Sequence, residues 1–346
     1  MAYETGSATD HTDLMSKLNT FAAANGFTTE YHNGTNRHLS LSRSANNIYV
    51  SFHWDNVNTI AMYQALGYSG GSAETPWLQA NDSGNGSSDL PTNIDRGRQV
   101  SRTGAGPFTA YHFFAHTSPY VIYIVLEFSP GLYRHFGFGY INKTGTWTGG
   151  AWCAGHLWHW GGSSPFNVYD TPDSTAHTVL MDNLLYQEQT YYGTNNNDAG
   201  GTLHVEGLFL QDSASKWGHA VSRFLSDSEV RLDRAGNPRV RIGGGCRGGP
   251  ALAQFGRFLP DLANGFIPII PMELFYYDGR GTGDHGWYLL GVMPHVGHIH
   301  LHGIDAAQAL TVGSDTWMAF PMVRKSNIGG DNQESRNAGI IYKKVT

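Results

Sequence analysis

The chain's 346 residues carry 22 Lys and Arg against 28 Asp and Glu, a net charge of −6. That balance argues against nucleic-acid binding without regard to sequence, for which a basic face would be expected. Only 14% of residues are charged, 13% are aromatic and 44 are glycine, whereas helix-rich enzymes carry charges nearer about a quarter of their residues. The expected fold class is therefore all-β, mainly antiparallel and sandwich-like, with long Gly/Asn/Ser-rich loops.

The first element is the exception. Leu14, Leu18, Phe21 and Ala22 recur at helical spacing, and the pattern predicts a short helix from Asp10 to Asn25. Asp10 or Thr12 can cap its first turn, and Asn25-Gly26 supplies the left-handed stop. So short a helix is marginal alone. Its stripe must cover either a sheet of its own domain or a neighbouring subunit, and on the second reading deleting residues 1–26 leaves a folded chain that fails to assemble. Nothing at the N-terminus has the basic and apolar regions of a secretory signal.

Strand patterns follow. Asn47–Asp55 alternates, Phe108–His116 and Tyr120–Phe128 flank a Thr117-Ser118-Pro119 turn, and Leu132–Ile141 completes a meander. Later strands are expected at Thr202–Leu210, Val230–Leu232, Arg239–Ile242, Trp287–Met293, Ile299–His302, Trp317–Val323 and Ala338–Val345. Ser69–Thr103 and Gly193–Gly201 read as polar loops, and Asp212–Asp227 as a weakly signalled second helix. A boundary near Asp170–Asp182 divides the chain into an N-terminal arm (1–30), a β-rich domain (31–175) and a second β-rich part (176–346), the last two joined if the boundary is absent. The longest apolar run, Tyr120–Phe128, falls far short of the roughly 20 residues of a membrane-spanning helix.

Among candidate sites the foremost is His295-Val-Gly-His298-Ile-His300-Leu-His302. Residues two apart on a strand share a face, so His298, His300 and His302 would form an imidazole ladder. Imidazole is a good ligand for Zn, Ni, Cu or Fe, and a site shared between chains is geometrically easier than three ligands converging from one strand. The competing reading is a packed or subunit-facing polar ladder. Trp152-Cys153-Ala-Gly-His156-Leu-Trp-His159-Trp160 mixes a thiol with imidazoles and indoles, and reads as a core corner or an aromatic platform for sugars or partner proteins. Cys153 and Cys246, the two cysteines, do not make a disulfide framework. Gly243–Pro250 matches neither a P-loop nor a dinucleotide fingerprint, and Asp278–Asp284 lacks the rhythm of a calcium loop. Glu127, Asp170, Glu206 and Glu273 lie near strands, but nothing pairs them for glycoside cleavage. No catalytic residue and no cofactor are expected.

The opening, from Met1-Ala-Tyr-Glu-Thr-Gly through Asp13-Leu-Met-Ser-Lys-Leu18 to Gly26-Phe27, resembles the N-terminus of a group of tailed-bacteriophage virion structural proteins. Tyr111–Phe128 with Tyr133-Arg-His-Phe136-Gly-Phe-Gly-Tyr140 looks like that group's paired strands closing on an aromatic-glycine stretch. Val292–Gly303, Thr311–Val323 and Arg336–Tyr342 look like its C-terminal pattern. The histidine ladder and the Asn/Ser-rich loops have no counterpart in it, and it offers no catalytic residues to carry over. The resemblance implies a structural virion component of the tail, neck or baseplate, assembled in the host cytoplasm with copies of itself and other virion proteins. A receptor-binding tail protein recognising a host surface glycan is the alternative, and a glycan depolymerase a third reading.

Overall fold

A computed structural model describes residues 2–46, 48–57, 59–64, 68, 98–102, 104–146, 150–154, 208–211, 217–220, 230–232, 238–240, 267–278, 286–321 and 338–345. Strands take 62% of these residues, and the paired strands run antiparallel. Over the described residues the chain is an all-β, sandwich-like protein with one α-helix, near its N-terminus.

In chain order the elements are β1 (Ala2–Ala8), α1 (His11–Ala24), β2 (Thr28–Asn33), β3 (His38–Arg43), β4 (Ile48–Trp54), β5 (Thr59–Gln64) and β6 (Arg98–Arg102). Then come β7 (Phe108–Thr117), β8 (Tyr120–Ser129), β9 (Leu132–Tyr140), β10 (Asn142–Lys143), β11 (Ala151–Ala154), β12 (Leu208–Gln211) and β13 (Trp217–Ala220). The remainder are β14 (Val230–Leu232), β15 (Pro238–Val240), β16 (Ile269–Asp278), β17 (Gly286–His300), β18 (Gln308–Val312), β19 (Asp315–Pro321) and β20 (Ala338–Lys344). A central seven-stranded sheet has the order β1-β7-β8-β9-β11-β12-β13. An N-terminal sheet runs β2 to β6 in sequence order, and a C-terminal sheet runs β10-β17-β20-β19-β18 with β16 on the far side of β17.

The helix is capped as its sequence suggests. Asp13 N–H donates to the Asp10 carboxylate at 2.8 Å, Thr9 N–H donates back to Asp13 at 2.9 Å, and Lys17 pairs with Asp13 at 2.7 Å. Gly26, at φ +86, turns the chain so that Phe27 N–H reaches Ala22 O at 3.1 Å. The stripe of Leu14, Leu18, Phe21 and Ala22 is buried within its own chain, in the main core. That core lies between one face of the central sheet (Phe113, Ile122, Ile124, Leu126, Phe136, Phe138) and the inner face of the N-terminal sheet (Leu39, Leu41, Val50, Phe52, Trp54). Trp54 Nε1–H donates to Thr12 Oγ1 at 3.0 Å, tying sheet to helix.

The opening residues make more than a helix. β1 pairs along β7, with Tyr3 opposite Phe114 and Thr5 opposite His112, so the first 27 residues extend the central sheet and close its core. Sequence pattern missed β1 because Ala2–Ala8 is small and polar, with β strength supplied by its neighbour. β2, β3 and β18, polar or mixed, escaped for the same reason, whereas Thr59–Gln64 and Ile269–Asp278 are largely apolar and were left unread. Trp217–Ala220, expected inside a helix, is instead a strand beside Leu208–Gln211, and Arg98–Arg102, expected in a loop, completes the N-terminal sheet. Two expected strands, Trp287–Met293 and Ile299–His302, are one: β17 runs from Gly286 to His300. Residues 155–207 lie outside the described residues, and with them the suggested boundary at Asp170–Asp182, Asp170 and Glu206.

Gly137 allows a close approach at the sheet's centre. A Cβ there would stand 2.7 Å from Ile122 O and 3.3 Å from the Trp152 ring, so a side chain would force strand and indole apart. Leu18 is fully buried under the helix. Leu18→Ala should cost about 2–5 kcal/mol in urea unfolding, from lost burial plus the residual cavity. Deleting residues 1–26 removes a strand and a core wall, so the truncated chain should lose its β signal in far-UV circular dichroism; a folded, monodisperse product would contradict the packing.

Candidate functional site

The second face of the central sheet is where chemistry-bearing side chains gather. Alternation sends His112, Phe114 and His116 of β7, Tyr123 of β8, and Tyr133 and His135 of β9 away from the main core. Facing them are Phe320 of β19, Tyr342 of β20 and His295 of β17. Phe320 is the hub, its ring centroid 4.8 Å from His112, 5.8 Å from Tyr133 and 6.1 Å from both Phe114 and Tyr342. Phe114 stacks on Tyr342 at 5.1 Å. Two sheets thus meet through aromatic and imidazole rings where aliphatic side chains would be usual.

Hydrogen bonds define the tautomers. His135 Nε2 lies 2.8 Å from Pro321 O, which can only accept, so Nε2 carries the proton. Nδ1 then accepts from the Tyr342 hydroxyl at 2.9 Å. His116 Nε2–H likewise donates to Lys343 O at 3.0 Å, leaving Nδ1 as a buried lone pair without a partner among the described residues. His112 Nδ1 is 2.9 Å from the Tyr3 hydroxyl, and the Tyr123 hydroxyl donates to Pro294 O at 2.6 Å.

His295 is placed by backbone geometry. It sits at φ +60, in the left-handed region where histidine is one of the more tolerated side chains. This turn within β17 swings the imidazole onto His116, the rings stacked 3.9 Å apart and 15° from parallel. His295 Nε2–H donates to Ser118 O at 3.1 Å.

Electrostatics keep these rings neutral. Burial pushes His112 down to about 4, with Lys344 adding to the effect and Glu127 opposing it. Burial pushes His116 down to about 3, with His295 and Lys343 reinforcing it against the Lys343 carbonyl. His295 is lowered by burial, partly offset by the Ser118 carbonyl. No carboxylate hydrogen-bonds to any of these rings among the bonds just described. Asp315, whose charge favours a proton on His295, is held by Lys343 at 2.7 Å.

The histidines singled out from sequence sit at the end of the same strand. His298 stands opposite Ile340 and His300 opposite Ala338, but the strand stops at His300 and His302 lies in the following turn. His302 N–H donates to His300 Nδ1 at 3.2 Å, and the two rings are 6.3 Å apart, one buried and one exposed. Those two do not continue a single-faced ladder. The side chain of His298 lies outside the described residues. Among the described residues, no group of three or more His, Cys, Asp or Glu is placed to hold a metal ion.

Of the other motifs, Trp152 and Cys153 are buried in β11, with Trp152 5.6 Å from Tyr123. Burial raises the Cys153 thiol far above its ordinary range. Residues 155–160, Gly243–Pro250 with Cys246, and 279–284 lie outside the described residues. Glu127 closes the β8–β9 hairpin, accepting from Gly131 N–H at 2.7 Å; the side chain of Glu273 is not among those described. His112, His116 and His135 escaped the sequence reading because they lie on two strands, and only pairing brings them together. Their signal was a histidine alternating with aromatics inside otherwise apolar strands. Among the described residues, no helix is long and apolar enough to cross a membrane. No protein-family model matches the chain, and no curated protein matches it.

Two outcomes follow from this geometry. His135→Phe keeps a ring in place but removes the hydrogen bonds to the Tyr342 hydroxyl and the Pro321 carbonyl, and should cost about 1–3 kcal/mol in urea unfolding. Cys153 should resist iodoacetamide at pH 8 in the native protein and react once the chain is unfolded, as read by peptide mass spectrometry.

Proposed function

We propose that the chain is a structural component of a tailed-bacteriophage virion, in the tail, neck or baseplate, acting through assembly with copies of itself and with other virion proteins. The observation that carries this reading is the opening stretch from Met1 to Leu18, whose likeness to virion structural proteins lies in residues that build the fold. Asp10 caps the helix, Leu14 and Leu18 fill the main core, and Tyr3 to Ala8 extend the central sheet. The likeness therefore concerns structural residues and not a removable leader.

Composition supports the same reading. A charge-poor, strand-rich chain exposes sheet edges such as β2 and β18, whose residues are largely exposed, and such edges are natural sites for joining one protein to another. Closed rings reuse one interface many times in assemblies of this kind. Gold-labelled antibody against the chain, imaged on intact virions, should mark one discrete station on the tail, neck or baseplate. Label on lysate proteins but never on purified particles would overturn the proposal, and binding of the isolated chain to a glycan array would favour the receptor-binding alternative.

A further inference from the structure

Both faces of the central sheet are covered, by chemically different means. The helix-side core joins its layers through aliphatic and phenyl groups. The opposite seam joins β7, β8 and β9 to β17, β19 and β20 through His112, His116, His135 and His295 with Tyr3, Tyr123, Tyr133, Phe320 and Tyr342. Protonation is opposed most clearly at His116, where a second proton has no acceptor waiting among the described residues. Its Nδ1 is enclosed, and its ring faces that of His295 at 3.9 Å. His135 uses Nε2–H on Pro321 O and Nδ1 on the Tyr342 hydroxyl, so protonating Nδ1 would press two donors together unless that hydroxyl turns away.

We propose that this seam is an acid-released joint, from which the C-terminal sheet separates while the helix-side core and its two sheets remain folded. The charged groups near it relieve an added proton only in part. Lys343 adds positive charge near His116 and Lys344 near His112. Glu127 favours a proton on His112 and Asp315 one on His295, but Glu127 is engaged with Gly131 N–H and Asp315 with Lys343. Tyr3, Tyr123, Tyr133 and Tyr342 are neutral throughout the acid range. The last of the strand's histidines, His300, is also lowered by burial and by His302.

The direction follows from linkage. His112 and His116 bind protons less readily in the closed seam, at about 4 and about 3, than the free imidazole at 6.5. Their contribution to closure is present above pH 6.5 and is lost as pH falls from 6.5 toward those values. Each such histidine multiplies the opening constant by up to about tenfold per pH unit in that window. His11 and His38, lowered to about 4 by burial, respond to acid in the same direction. His11 opens the helix and His38 stands opposite His53 between β3 and β4, whereas the seam gathers four histidines where two sheets meet, two of them stacked at 3.9 Å, so the seam is the joint that yields first.

The test is hydrogen–deuterium exchange on the full chain from pH 7 to 4.5, corrected for the intrinsic pH dependence of amide exchange. Peptides over residues 317–321 and 338–344 should gain exchange steeply below pH 6.5 while helix peptides over residues 11–24 stay protected. A double variant, His116→Gln with His295→Asn, keeps amide donors and the tolerated backbone at 295 but cannot titrate; its seam peptides should lose up to about tenfold of the acid response per pH unit for the His116 site alone. Simultaneous gain in seam and helix peptides, or an unchanged profile in a folded variant, overturns the joint. If the variant does not fold, imidazole NMR of the wild-type chain decides: seam histidines titrating near 6.5 in the folded protein overturn it, and resonances that vanish into slow exchange below pH 6 support it. None of these readouts involves a virion, so the outcome is independent of the proposed station in the particle.

Discussion

The central sheet has no face for solvent in its middle strands, and the rest of the structure follows from the need to cover both. β8 is buried from Val121 to Leu126, residue after residue, so neither side can be left open. One side takes the helix and the N-terminal sheet over it. The other takes the C-terminal sheet. A strand buried on both faces in an antiparallel sheet reads as a continuous apolar run, which is why Tyr120–Phe128 stands out in the sequence.

The two coverings differ in tolerance. The helix-side core holds its layers by non-directional burial, which survives small shifts and rewards volume more than geometry. The seam depends on directed contacts: ring stacking, hydroxyl-to-imidazole bonds and imidazole-to-carbonyl bonds across sheets. Such a network specifies one alignment of the two sheets, because a slip by one residue would turn every partner away. It also concentrates imidazoles at the joint between sheets, whereas the helix-side core is built mainly of apolar groups.

The opening segment unites these themes. Its helix closes the main core, while β1 carries Tyr3 to the seam, where the hydroxyl meets His112 and the ring lies 4.5 Å from the Lys344 ammonium. One short stretch therefore touches both coverings of the central sheet.

The sequence by itself determined the all-β class, the capped helix and its buried stripe, and the β7–β8–β9 meander, because those depend on local periodicity and turn chemistry. It also singled out β17 as unusual for its histidines. It left unread β1, β2 and β3, whose polar or mixed residues acquire strand geometry from a neighbour's unpaired backbone groups. Only the tertiary structure decided which histidines meet. His298, His300 and His302 are adjacent in sequence, yet the strand ends before the third. His116 and His295 are 179 positions apart by subtraction of their numbers, yet stack at 3.9 Å. Sheet pairing and the left-handed turn at His295 place them, and neither the order of strands in a sheet nor the packing of one sheet on another is encoded in local pattern.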